Sequence, residues 1–136
     1  MGQHDNHLLA KIGQYGLIKN SEDKVLVLER ARSKTWSLPG GRLDNGEEPH
    51  EAFTREIKEE LNLECSDLKP FDVNIITDQW QTKFCVYYSV DVVDLDSLQI
   101  SDEHSGHKWI SLEEAENLDI EDEKVRDVVV KFLKNE

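Results

Sequence analysis

The chain has 136 residues, 38% of them apolar and 33% charged, and a formal net charge of −13. That length and balance describe one globular domain able to bury a core without staples, not a disordered chain. The acidic excess argues against a protein that grips a polynucleotide backbone, and no apolar run approaches the roughly 20 residues of a membrane span.

Residues 1–9 are polar, without the basic-then-apolar order of a signal peptide, and residues 1–8 are expected to be flexible. Asn6 stands where a myristoylation signal needs Ser or Thr. The spacing predicts a strand over 10–18, turn chemistry at 20–23 and a returning Val- and Leu-rich strand over 24–29. Residues 30–35 form a basic polar loop, and 36–41 read as a short strand ending in breakers. A loop over 43–48 carries the Asn45-Gly46 turn signal.

A helix begins near Pro49, a residue tolerated in the first turn, and Glu47, Glu48 and Glu51 complement its dipole. Phe53, Ile57 and Leu61 recur every four residues as an apolar stripe, and Asn62 suits a left-handed stop. Two strands follow over 71–77 and 83–93, then a polar connection over 94–106 and a short strand over 107–110. Ser111 with Glu114 makes a capping box for a helix through 118, and a last helix over 121–133 turns Val125, Val128, Val129, Phe132 and Leu133 inward. Strands, a central helix, more strands and closing helices predict an α/β (α+β) domain, a mixed sheet with helices on its faces. Cys65 and Cys85 sit at no metal-ligand spacing and read as the free thiols of a cytoplasmic protein.

The predicted central helix carries the chemistry. Glu56, Glu59 and Glu60 fall at i, i+3 and i+4, neighbours on one helix face. Three like charges repel unless a cation joins them, and a hard divalent ion with oxygen ligands is the natural candidate. Arg30, Arg32, Lys34 and Arg42 flank this region and are candidate phosphate contacts, since an Arg fork suits phosphate. Trp80 is a candidate for stacking on a base, or equally a packed tryptophan. His104 and His107 lack the further ligands a zinc site requires.

The order Gly41, Glu47, Arg55-Glu56-Ile57, Glu59-Glu60 and Leu63 is similar to the Nudix box, the signature of Nudix (MutT-type) hydrolases. The approach Trp36-Ser37-Leu38-Pro39-Gly40-Gly41 also resembles the family's, while Asn62 stands where the box has glycine. The resemblance implies a single-domain α/β/α sandwich over 1–136 that hydrolyses a diphosphate bond in a nucleoside diphosphate-linked small molecule, with Mg²⁺ or Mn²⁺. It implies metal ligation by Glu56, Glu59, Glu60 and the Gly40 carbonyl. It also implies a downstream loop acid, best matched by Glu103 with Asp102 as rival. Either Glu56 or that loop acid would serve as general base and Glu103 as a further ligand; Arg55 would orient the glutamates and Glu47 tie the loop to the helix. A bound metal lets an acidic cleft receive a diphosphate. Small size favours a nucleoside triphosphate, including damaged ones, over ADP-ribose or a nucleotide sugar. Trp80 stands where a dinucleoside polyphosphate enzyme favours Tyr. The rival class is a non-catalytic nucleotide-binding module. The expected partner is a small nucleotide-derived substrate, with no nucleic acid polymer or membrane, bound by a monomer or homodimer.

Overall fold

Among the described residues, seven strands and three helices make two sheets and two cores. The structure is a computed structural model that describes residues 6–135, so His4 and most of the segment expected to be flexible lie outside the described residues. The strands are β1 (Lys11–Leu17), β2 (Val25–Arg30), β3 (Trp36–Ser37), β4 (Gly40–Arg42), β5 (Cys65–Thr77), β6 (Thr82–Val92) and β7 (His104–Ile110). The helices are α1 (Pro49–Leu61), α2 (Leu112–Asn117) and α3 (Glu123–Leu133). One sheet has the order β4-β1-β6-β5, with β1 and β6 parallel, and the other has the order β3-β2-β7.

Side chains alternate across each strand, so one strand feeds both cores. Val25 and Val27 of β2 join Tyr15, Leu17 and Tyr87 beneath α2 and α3, where Val125, Val128, Val129 and Phe132 are buried. Leu26 and Leu28 face the opposite way and pack with Phe53, Ile57 and Leu61 of α1 and Tyr88 and Val90 of β6. The central helix is therefore held between the two sheets by the apolar stripe read from its sequence. This is the expected α+β sandwich.

Four boundaries differ from expectation by more than one residue. Gly40–Arg42 is a strand, paired antiparallel to β1, rather than a break. β5 begins at Cys65 instead of residue 71, through register shifts at Cys65/Asp67 and Pro70/Asp72. Proline is tolerated there because β5 is an edge strand. β7 starts at His104, and a short 3-10 turn (Leu95–Ser97) occupies the preceding connection. α3 starts at Glu123, because Asp122 caps it by accepting from Lys124 N. Cys65 and Cys85 are free thiols. Among the described residues no helix is long and apolar enough to cross a membrane.

Candidate metal and phosphate cleft

Helix α1 is fixed at both ends, and that fixes its carboxylates. Glu48 caps the start, accepting from His50 N, and Pro49 occupies the first turn. Buried Gln14 ties β1 to the same end, donating from Nε2 to Pro49 O at 2.9 Å and to the Tyr88 hydroxyl at 3.0 Å. At the far end Asn62 takes the left-handed conformation (φ 58°), with its N–H donating to Lys58 O at 2.9 Å. The connection before β7 then satisfies the last carbonyls of the helix. Ser101 N donates to Glu60 O and Gln99 N to Leu61 O, each at 2.9 Å, and Asn62 Nδ2 reaches Ser97 O at 3.1 Å. Those bonds moor the loop that carries Glu103 beside Glu56 and Glu60.

The helix has two carboxylate edges. On the outer edge, Arg55 Nη2 lies 2.7 Å from Glu47 Oε2, and Arg55 Nε lies 3.9 Å from Glu59 Oε2. Glu47 also accepts from Asp44 N at 2.7 Å, which ties the loop to the helix. That N–H, and then Arg55, hold the Glu47 carboxyl below its ordinary range. On the inner edge, Glu60 is only 6% exposed and accepts from Gly40 N at 3.0 Å. Gly40 has φ 139°, and a Cβ there would lie 2.0 Å from Gln14 O, so only glycine brings this N–H to Glu60. Burial pushes the Glu60 carboxyl up to about 7; the Gly40 N–H partly opposes this, while Glu56 and Glu103 push the same way. Glu56 is also raised, first by burial and then by Glu59.

Glu56, Glu60 and Glu103 line a cleft of about 260 Å³ with Gly40, Gly41, Arg30, Arg42, Tyr15, Lys83 and His104. Glu60 is a buried carboxylate with one N–H donor and no ion pair among the described residues, and its nearest charged company includes two more carboxylates. A buried acid in that position needs a proton or a cation. An all-oxygen donor set of this kind suits magnesium or manganese, so the residues fit such an ion. Among the described residues no three Asp, Glu, His or Cys side chains converge into a ready cage. Magnesium tolerates that, because it keeps several waters and takes only a few protein oxygens.

The candidates read from sequence separate on the structure. Gly40, Glu56, Glu60, Glu103, Arg30 and Arg42 meet in the cleft. Glu59 and Arg55 stand on the outer edge. Arg32 and Asp102 line an adjoining pocket with Arg30, Glu103 and His104. Trp80 is 82% exposed at the turn between β5 and β6, its N–H bonded to Asp78, and it does not line the cleft. Sequence reasoning missed Lys83 and Tyr15. Lys83 Nζ donates to the Tyr15 hydroxyl at 2.8 Å, which adds a third cation to the cleft wall that carries Arg30 and Arg42. The parallel pairing of β1 with β6 sets Lys83 beside Lys11, and the Tyr15 ring lies back over Gly13 to meet it, a juxtaposition that no local sequence signal reports.

The profile of the NUDIX domain matches residues 11–132. Among curated proteins, the chain is 30% identical over 116 residues to the bis(5'-nucleosyl)-tetraphosphatase [asymmetrical] of Mus musculus, covering 80% of this chain and 74% of that one. Among solved structures, the MutT protein from Methanosarcina mazei Go1 superimposes with a TM-score of 0.78 at 25% identity, over 93% of this chain and 94% of that one. A C. elegans Ap4A hydrolase binary complex superimposes with a TM-score of 0.74 at 24% identity, over 94% of this chain and 97% of that one, a likeness of fold.

Proposed function

The chain belongs to the NUDIX family, and on that premise we propose that it is a metal-dependent pyrophosphohydrolase, a single domain that cleaves a diphosphate bond in a nucleotide-derived small molecule. One observation carries the reading: buried Glu60 lies beside Glu56 and Glu103 without an ion-pair partner among the described residues, in a cleft whose other wall holds Arg30, Arg42 and Lys83. A protein built only to bind phosphate has no use for uncompensated buried acids.

Glu56, Glu60, Glu103 and the Gly40 carbonyl are the groups we assign to hold magnesium or manganese, with Glu59 as a more distant carboxylate that assists from the outer edge. When bound, the ion supplies positive charge to the phosphate oxygens as the leaving oxygen becomes anionic. Arg30, Arg42 and Lys83 hold the remaining phosphate oxygens in place for an in-line attack by water. Glu56 takes the water's proton. It lines the cleft, and α1 holds it over Gly41, where a Cβ would come within 3.1 Å of Glu56 Oε1. Arg55 braces the outer edge, and Asn62 does the work of the glycine in the Nudix box. Trp80 is offered for stacking on a nucleobase from the exposed hairpin beside Arg42 and Lys83. We assign the activity to the cytoplasm and to a monomer or homodimer.

The substrate read from sequence is a nucleoside triphosphate or a related nucleotide. A second reading, a dinucleoside polyphosphate, is supported by the similarity to the mouse tetraphosphatase over most of the chain. A turnover screen with Mg²⁺ and Mn²⁺ over intact and oxidised nucleoside triphosphates, dinucleoside tetraphosphates, ADP-ribose and nucleotide sugars, with the product nucleotides resolved by anion-exchange chromatography, tests both. We expect turnover in the first two classes. Tight binding of one nucleotide with no turnover of any would replace the enzyme with a binding module.

A further inference from the structure

Glu121 lies outside the cleft, between α2 and α3, yet its Oε2 sits 2.9 Å from Nε of Arg30, which lines the cleft. Both ends of this pair are held. On the Arg30 side, the pairing of β2 with β7 shifts register between Glu29 and Arg30, where β7 carries the extra residue Ser105, and a bulge of this kind increases the local twist of the ladder. The following loop closes on the same residue, with Arg30 N donating to Thr35 O at 2.9 Å and Lys34 N to Arg30 O at 3.0 Å. On the other side, Trp36 N donates to Asp119 O and Glu121 N to Trp36 O, both at 3.0 Å, so the Glu121 segment runs along β3 like an added strand.

The pair is partly exposed, with side-chain exposures of 48% for Arg30 and 24% for Glu121, and such pairs add little to stability. Its larger consequence is orientation. A guanidinium is planar and carries its donors in a fixed fork, so a carboxylate on Nε sets the plane and leaves the terminal N–H groups for another acceptor. Among the described residues Arg30 has no other ion pair, and its charge is felt at Glu60 and His104.

We propose that Glu121 is a positioning residue for substrate binding: it holds the Arg30 guanidinium so that the terminal donors face a phosphate of the bound nucleotide. This rests on the reading of Arg30 as a phosphate contact.

A double-mutant cycle on steady-state kinetics, with the full chain and a substrate found in the screen, tests it. Glu121→Ala raises KM about five- to tenfold and leaves kcat within about twofold, because uniform binding is lost and not the chemistry. Glu121→Gln raises KM less, since its amide oxygen still accepts from Nε. In an Arg30→Ala background, Glu121→Ala adds no further change. An unchanged KM for Glu121→Ala, while Arg30→Ala raises it, would overturn the positioning role alone. An equal effect in both backgrounds would also overturn it, marking a merely structural contact. If Arg30→Ala itself left KM and kcat unchanged, the phosphate contact would fall and the positioning role with it, while turnover by the wild type would keep the hydrolase reading intact.

Discussion

Glu59 and Glu60 are consecutive residues of one helix, and the structure gives them opposite surroundings. The Glu59 side chain is 63% exposed with Arg55 at 3.9 Å, whereas Glu60 is 6% exposed and has a single N–H donor, from Gly40. The outer edge, with Glu47, Arg55 and Glu59, offsets part of its own charge. The inner edge, with Glu56 and Glu60, does not. What separates them is burial, since both edges come from the same short acidic run. An exposed carboxylate is satisfied by water and a nearby arginine. A buried one demands a specific partner, and that demand is what a metal or a proton answers.

Removing the inner charge tests this contrast most directly. Glu60→Gln keeps the shape and a possible acceptor for Gly40 N, so the fold is expected to survive with an unfolding midpoint equal to or above that of the wild type. The same change should lower kcat by about two to three orders of magnitude in Mg²⁺. Steady-state turnover beside a thermal melt measures both. Near-normal turnover would mean that the inner edge has no part in the chemistry.

A second test uses the sign of the charge effects. Glu60 is raised from 4.5 to about 7 in the folded protein, so folding without metal strengthens its hold on a proton. The stability this contributes is complete below the unfolded value and is lost as pH rises through the folded one. In the metal-free protein the resulting slope reaches at most about 1.4 kcal/mol per pH unit between those values. Glu47, on the outer edge, is lowered and works in the opposite sense: its contribution is present above its unfolded value and fades as pH falls. Urea unfolding at pH 5, 6, 7 and 8 in a chelator should show stability falling across the window, and Glu60→Gln should flatten the fall. Excess Mg²⁺ at pH 8 should restore what was lost. A wild type as flat as the variant would show that Glu60 is not charge-strained.

Much of the inner edge was legible in the sequence, because a helix converts spacing into direction. Pro49, the Phe53-Ile57-Leu61 stripe and Asn62 set the start, rotation and end of α1, and so the side on which Glu56 and Glu60 emerge. Glu103 was reachable only through the resemblance. Its place beside the helix depends on Ser101 and Gln99 bonding to the last carbonyls of α1, contacts more than 35 residues apart in sequence. Lys83, Tyr15 and Glu121 were not legible at all. Each enters through a pairing between distant strands or segments, β1 with β6 or β3 with residues 119–121, and local periodicity carries no record of such pairings. The split between Glu59 and Glu60 lay in the helix rotation: at about 100° per residue Glu60 falls beside Phe53 of the apolar stripe and Glu59 well away from it. What the spacing did not report is the donor that meets Glu60, the N–H of Gly40.

The smallest expected effect is the most discriminating, because it falls on the residue that the motif treats as equal and the structure does not. Glu59→Gln removes a charge that water already solvates and that Arg55 only loosely accompanies, so it costs little when the substrate is absent. We expect kcat to fall by roughly tenfold, far less than for Glu60→Gln, with KM for Mg²⁺ rising by a similar factor as a more distant carboxylate is lost. Titrating Mg²⁺ for both variants at saturating nucleotide separates the two edges. If Glu59→Gln proved as damaging as Glu60→Gln, burial would not be what ranks these carboxylates. The outer glutamate would then have to leave Arg55 and turn into the cleft when metal and nucleotide bind, and Arg55→Ala, which frees it, should speed turnover rather than slow it.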